Sequence, residues 1–113
     1  MGRILRREAA KRDLIQQWVW YAENAGFEVA DRFLAAVEDA LTALASQPGS
    51  GSLLFTQRSD LRGIRRVPVG DGFGNVLLFY FPLAAADSLK GGVDLVRVLH
   101  GSRDLKRIFE TGV

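Results

Sequence analysis

The sequence holds a single histidine, His100, and few groups could work with it. Tyr80, Arg65, Arg66, Arg97 and Arg103 are the plausible companions, all in the second half of the chain. Such a set could support acid–base chemistry at a phosphodiester, which needs a base, a proton donor for the leaving oxygen and cations to stabilise the charged phosphorane. Two features stand against that chemistry. Arg97 and His100 are separated by an odd offset, and such side chains point to opposite faces of a regular strand, so they converge only if a bulge intervenes. After Asp104 the chain supplies Lys106, Arg107, Phe109 and Glu110, with no histidine or tyrosine to complete an acid–base pair. No residue is assigned as catalytic, and the chain reads as a binding protein rather than an enzyme.

The basic residues suit binding better than catalysis. Twelve of the fifteen are arginine, whose planar fork matches carboxylate or phosphate, so the type of cation says more than a net charge of +2. The candidates for target contact are Arg62, Arg65, Arg66, Arg97, His100, Arg103, Lys106 and Arg107. Arg62, Arg65 and Arg66 could equally guard an exposed strand edge. Arg97 sits among apolar residues, which calls for an ion-pair partner, with Asp94 or Asp104 in reach along the chain. His100 reads either as a strand-end imidazole bonded to backbone or to Asp104, or as a contact residue. Arg103, Lys106 and Arg107 recur at helical spacing and would form a cationic ridge.

The elements that position these groups follow from periodicity. From Ala9 to Ala25, residues Leu14, Trp18, Tyr21, Ala22 and Ala25 fall on one face of a helix, which makes Trp18 a core residue. Trp20 lies nearly opposite and reads as a partner contact or as packing against the amino-terminal segment. Asn24 to Gly26 close that helix, and Ala30, Phe33, Val37, Ala40, Leu41 and Leu44 mark a second one over Phe27–Ser46, so a helical hairpin is expected. Gln47 to Ser52 is a loop. Strand periodicity follows at Ile64–Val69, Asn75–Phe81 and Val93–His100, with turn residues Asp71, Gly72, Gly74, Gly91 and Gly92 between them, as in an antiparallel meander. Val76 to Phe81 is apolar on both alternating sets, as a central strand covered on both faces would be. Arg3–Leu5 can add an edge strand and Ser102–Glu110 a short last helix. The fold class is α+β, a helical hairpin packed on a small antiparallel sheet in the order β-α-α-β-β-β with a short C-terminal helix.

Composition bounds the remainder. With 113 residues, 48% of them hydrophobic and 25% charged, the chain has the size and make-up of one globular domain spanning 1–113. Cysteine is absent, so neither disulfides nor thiolate metal sites are available. Gly49 to Gly51 lacks the preceding strand and following Gly-Lys-Ser/Thr of a phosphate loop, and Gly70, Gly72 and Gly74 lack the helix needed for dinucleotide binding, so neither a cofactor nor a metal is implied. The charged stretch Glu8–Asp13 is no signal-peptide core, and Val76–Ala86, broken by Pro82, is shorter than the roughly 20 residues of a membrane span. A cytoplasmic protein without membrane contact is expected.

Several motifs then recur in an informative order: Asp13-Leu14, Trp18 and Ala22; Ala30, Arg32-Phe33, Leu41, Leu44, Pro48 and Gly51; Leu61-Arg62-Gly63 with Arg65; Leu78-Phe79-Tyr80; and Arg97-Val98-Leu99-His100-Gly101 with Arg103-Asp104. On these, from Ala9 to about Ile108, the chain resembles the ParE branch of the RelE/ParE toxin family. It departs from the pattern at Trp20, where tyrosine is frequent, and in the apolar loop from Pro82 to Gly92. The resemblance implies the toxin of a type II toxin–antitoxin system that inhibits DNA gyrase by binding it. It also implies neutralisation by a cognate ParD-like antitoxin in a hetero-oligomer, without sequence-specific binding of nucleic acid. The RelE branch implies the alternative, a ribosome-dependent mRNA endonuclease, and a non-toxic binding module of the same fold is a third reading.

Overall fold

The computed structural model describes residues 2–85 and 91–101. Strand β1 (Arg3–Arg6) leads into helix α1 (Glu8–Ala25), and helix α2 (Phe27–Ser46) returns alongside it. Strands β2 (Ser52–Leu53), β3 (Arg65–Pro68), β4 (Val76–Leu83) and β5 (Gly92–His100) follow, with short 3-10 turns at Pro48–Ser50 and Ser59–Leu61. The five strands lie in the order β1-β5-β4-β3-β2. The expected α+β architecture and meander are present, and the expected edge strand at Arg3–Leu5 exists. It pairs parallel to β5, however, so the sheet as a whole is mixed. The last helix expected at Ser102–Glu110 lies outside the described residues.

Gly26 separates the two helices with φ 97°, a left-handed conformation that costs a residue without Cβ little, and so closes α1 and opens α2. The helical stripe of α2 is buried as its periodicity requires, at Ala30, Phe33, Val37, Leu41 and Leu44, the last four of which join the cluster with the sheet residues. On α1 the buried residues are Ala10, Asp13 and Gln17, with Leu14 and Tyr21 packed beside them, so a carboxylate and an amide stand in the middle of the packing face. Trp18 is half-buried rather than central. Its indole Nε1 donates to Asp31 Oδ1 at 3.1 Å, and its ring rests near Phe27.

Strand β4 separates two apolar clusters. Val76, Leu78 and Tyr80 join the helices on one face, with Phe33, Val37, Leu41, Val93, Leu95 and Val98. Phe79 faces the other cluster, with Leu61, Ile64, Val96 and Leu99. The segment around Leu54 and Leu61 thus contributes cover on the side away from the helices, which explains why both alternating sets of β4 are apolar. The β3–β4 turn carries consecutive left-handed residues, Asp71 at φ 59° and Gly72 at φ 87°. Between β4 and β5 the register moves from Phe79↔Arg97 to Tyr80↔Leu95, so Val96 is an extra, bulged residue. A Cβ at Gly92 would overlap the Arg3 carbonyl oxygen, so the close approach of β1 to β5 depends on glycine there.

Candidate functional site

Strand β1 ends at Arg6, paired with Leu95, and leaves the outer edge of β5 uncovered from the bulge onward. Helix α1 occupies that place. The Asp13 carboxylate accepts the Val98 backbone N–H at 2.9 Å, a bond that a strand carbonyl would otherwise supply. The same carboxylate takes both arms of Arg97, with Nε at 2.7 Å and Nη2 at 2.9 Å. Among the described residues the carboxylate partner of Arg97 is therefore Asp13, not Asp94, which pairs with Arg7 instead; Asp104 lies outside the described residues. One turn further along α1, the Gln17 Oε1 atom is buried without a hydrogen-bond partner among the described residues. Asp13 and Gln17 were missed at the sequence level, although both fall on the stripe of Ala10, Leu14 and Tyr21, and a charged residue inside an apolar stripe is itself a signal of a buried pair.

A second polar knot ties the loop after α2 to the sheet. The Tyr80 hydroxyl donates to the Pro48 carbonyl at 2.7 Å and accepts the Gly51 N–H at 2.9 Å. Arg65, opposite Tyr80, donates to the carbonyls of Gly51 at 2.7 Å and Gly49 at 3.2 Å. A Cβ at Gly51 would overlap the Tyr80 hydroxyl, so the loop can close only with glycine there. Burial is the main cause that pushes the Tyr80 phenol above its ordinary pKa of 10.0, against smaller opposing effects of the Gly51 hydrogen bond and the Arg65 charge. The phenol stays neutral and fully engaged.

The expected target-binding set is thereby divided. Arg65 and Arg97 are half-buried and hold the fold together. Arg97 stands opposite Phe79 and His100 opposite Val76, residues of the two different clusters, so these two side chains lie on opposite faces, as their odd offset requires. The bulge at Val96 precedes both and does not bring them together. Arg62 and Arg66 are exposed and have no carboxylate partner among the described residues. Arg103, Lys106 and Arg107 lie outside the described residues. Among the described residues no cluster of three potential metal ligands occurs, and no helix is long and apolar enough to cross a membrane.

On the outer side of the hairpin, Leu14, Ile15 and Trp18 of α1 and Leu34 of α2 line a shallow apolar cavity of about 220 Å³. Ile15 is 64% exposed and Phe27, beside Trp18, 69%. Trp20 is 44% exposed and stands edge-on to Tyr21, ring centroids 5.2 Å apart. Five residues at 100° each put it about 140° round the helix from Ile15, so the structure does not bring Trp20 to this cavity.

A helical hairpin on one face of a β1-β5-β4-β3-β2 sheet, with arginines built into its seams, defines a small α+β protein of the RelE/ParE-like fold. Residues 4–105 match the family model of the ParE toxin of type II toxin–antitoxin systems, parDE, and the chain belongs to that family. It is a toxin of the type II kind, and membership carries with it an antitoxin partner. No curated protein matches the chain.

Proposed function

We propose that residues 1–113 form one toxin domain that inhibits DNA gyrase by binding it in the cytoplasm, without catalysis of its own, and is neutralised by a ParD-like antitoxin. The observation that supports the non-catalytic reading is the dispersal of the candidate acid, base and cations among the described residues. Arg97 is held by Asp13, Tyr80 is buried between Pro48 and Gly51, and His100 lies on the other face of the sheet from Arg97. Acid–base catalysis requires its partners within hydrogen-bond reach of one reacting group, and these residues offer no such meeting point. A binding toxin requires only a complementary surface, which the exposed Arg62 and Arg66 offer, and Arg103, Lys106 and Arg107 are proposed to belong to the same target-facing set. Arg65, Arg97 and His100 complete the proposed target-facing set by supporting it, and Trp20 is proposed to touch the antitoxin.

The test pairs two assays on the purified protein. Supercoiling by gyrase is expected to be blocked while messenger RNA on stalled ribosomes stays intact. Codon-specific cleavage of that RNA, lost on His100→Ala, would sink the proposal in favour of ribonuclease activity. Co-expression with a cognate ParD-like antitoxin is expected to raise soluble yield and restore growth.

A further inference from the structure

The sheet has one edge that nothing in the described structure covers. Strand β2 is the outermost strand beyond β3, pairing through Ser52↔Arg66 and Leu53↔Arg65. The next amide, of Leu54, donates inward to the Ile64 carbonyl at 2.9 Å. By the alternation of an extended strand, the N–H and C=O of Leu53 therefore point away from the sheet. Edge strands of soluble proteins are commonly blunted by charge or proline on the strand itself, and β2 carries neither. Instead Leu53 is 45% exposed and Phe55, two positions on, 90% exposed.

The charge around this edge has one sign. Arg58 is paired with Asp60 and Arg65 is spent on the Gly49 and Gly51 carbonyls, but Arg62 and Arg66 have no carboxylate partner among the described residues. Arg66 shares a row with Ser52 on one side and Phe79 on the other, placing it on the sheet face away from the helices, while Leu53 shares its row with Arg65 and Tyr80 on the helix face. A strand added outside β2 would lie about 10 Å from β3, two strand spacings, and only the small Ser52 stands between it and Arg66. The Arg66 guanidinium can span that gap.

We propose that the β2 edge is a peptide-binding site that takes an extended protein segment with alternating apolar and acidic side chains. The apolar set packs on Leu53 and Phe55, the acidic set faces Arg66 and Arg62, and the Leu53 main chain pairs with the segment's backbone. A second copy of the chain fits poorly, because two β2 edges face to face would bring like-charged arginines together. Nucleic acid could use the cations but would leave the unpaired strand edge idle.

The experiment uses the full chain and a fluorescent eight-residue peptide alternating valine and glutamate, with valine–lysine and serine–glutamate peptides as controls. Anisotropy is expected to show saturable binding of the first peptide only, weakened by salt. Leu53→Pro removes the outward N–H together with the Leu53 side chain, a change that edge strands tolerate. That variant, Phe55→Ser and the pair Arg62→Glu/Arg66→Glu are each expected to weaken binding about tenfold or more, with the melting temperature retained, whereas Ile15→Ser on α1 leaves it unchanged. Hydrogen exchange at the Leu53 amide is expected to slow when the peptide is added. Absence of binding, binding that survives Leu53→Pro and Arg66→Glu, displacement of the peptide by a single-stranded oligonucleotide, or a dimer that dissociates on Phe55→Ser would each overturn the proposal.

Discussion

Asp13 and Arg97, 84 positions apart in the chain, form a two-armed ion pair in which the same carboxylate also accepts the Val98 amide. One side chain on α1 thus finishes the edge of β5 where β1 stops. Removing it leaves a mostly buried guanidinium and a buried amide without their acceptor, and breaking a buried pair in this way costs about 3–5 kcal/mol. Asp13→Ala is expected to fall in that range by urea unfolding, Asp13→Asn to lose less because it still accepts from Val98, and Asp13→Ala/Arg97→Met to recover part of the loss. Equal stability of Asp13→Ala and the native protein would show that the pair contributes nothing.

Tyr80 ties stability to alkaline pH. Its folded pKa is raised above the ordinary 10.0, so the folded state keeps the proton that the unfolded chain releases. The resulting stability is fully present below pH 10 and is lost as the pH climbs through the raised folded value. The native protein is therefore expected to lose stability above about pH 10 more steeply than Tyr80→Phe, which has no proton to release. At neutral pH Tyr80→Phe is expected to cost about 1–3 kcal/mol, because the Gly51 amide is left unsatisfied. Parallel alkaline limbs for the two proteins would contradict this account.

The outer face of the hairpin should be separable from Trp20. If the antitoxin's amphipathic segment seats in the cavity of Leu14, Ile15, Trp18 and Leu34, Ile15→Ser/Leu34→Ser is expected to weaken the complex by at least tenfold, about 1.4 kcal/mol. Trp20→Ala is expected to weaken it as well if Trp20 is the anchor. Titration calorimetry of both variants against the antitoxin decides which side of α1 carries the contact, and full affinity in both would remove α1 from that interface. Neither variant should unfold the toxin, since Ile15, Leu34 and Trp20 are exposed.

Most of the fold could be read from the sequence because local rules govern it. Gly26, the α2 stripe from Ala30 to Leu44, and the doubly apolar strand Val76–Phe81 each announce their role within a few residues. What was not legible depends on contacts between distant segments. Arg97 has carboxylates near it in the chain, and nothing local indicates that α1 will bring Asp13 to a strand edge that β1 leaves open. The parallel pairing of β1 with β5 has the same origin. Strand β2, two residues long, is too short to show a period, so nothing in the sequence marks the edge holding Leu53 and Phe55 as a strand. For the site, sequence identified the right residue types at Arg62, Arg65, Arg66 and Arg97 but could not tell those consumed by the fold from those facing solvent.

That distinction gives the last prediction. Arg62 and Arg66 face solvent, and Arg103, Lys106 and Arg107 recur at helical spacing beyond the described residues, whereas Arg65 and Arg97 are committed to Gly51 and Asp13. If exposed cations contact the target, Arg62→Glu/Arg66→Glu and Arg103→Glu/Arg107→Glu should each weaken gyrase inhibition strongly, and the native inhibition should decline as salt is raised. Melting of the Arg62→Glu/Arg66→Glu variant should stay within the shift expected of about 0.5 kcal/mol, since exposed charge changes seldom do more. Arg97→Glu should behave in the opposite way, unfolding the protein by setting two carboxylates together beside the Val98 amide. The measurement is a supercoiling titration run beside a thermal melt for each variant. Inhibition that survives both double reversals in full would remove these cations from the target contact, and a collapsed melt for Arg62→Glu/Arg66→Glu would show that the exposed pair serves the fold instead.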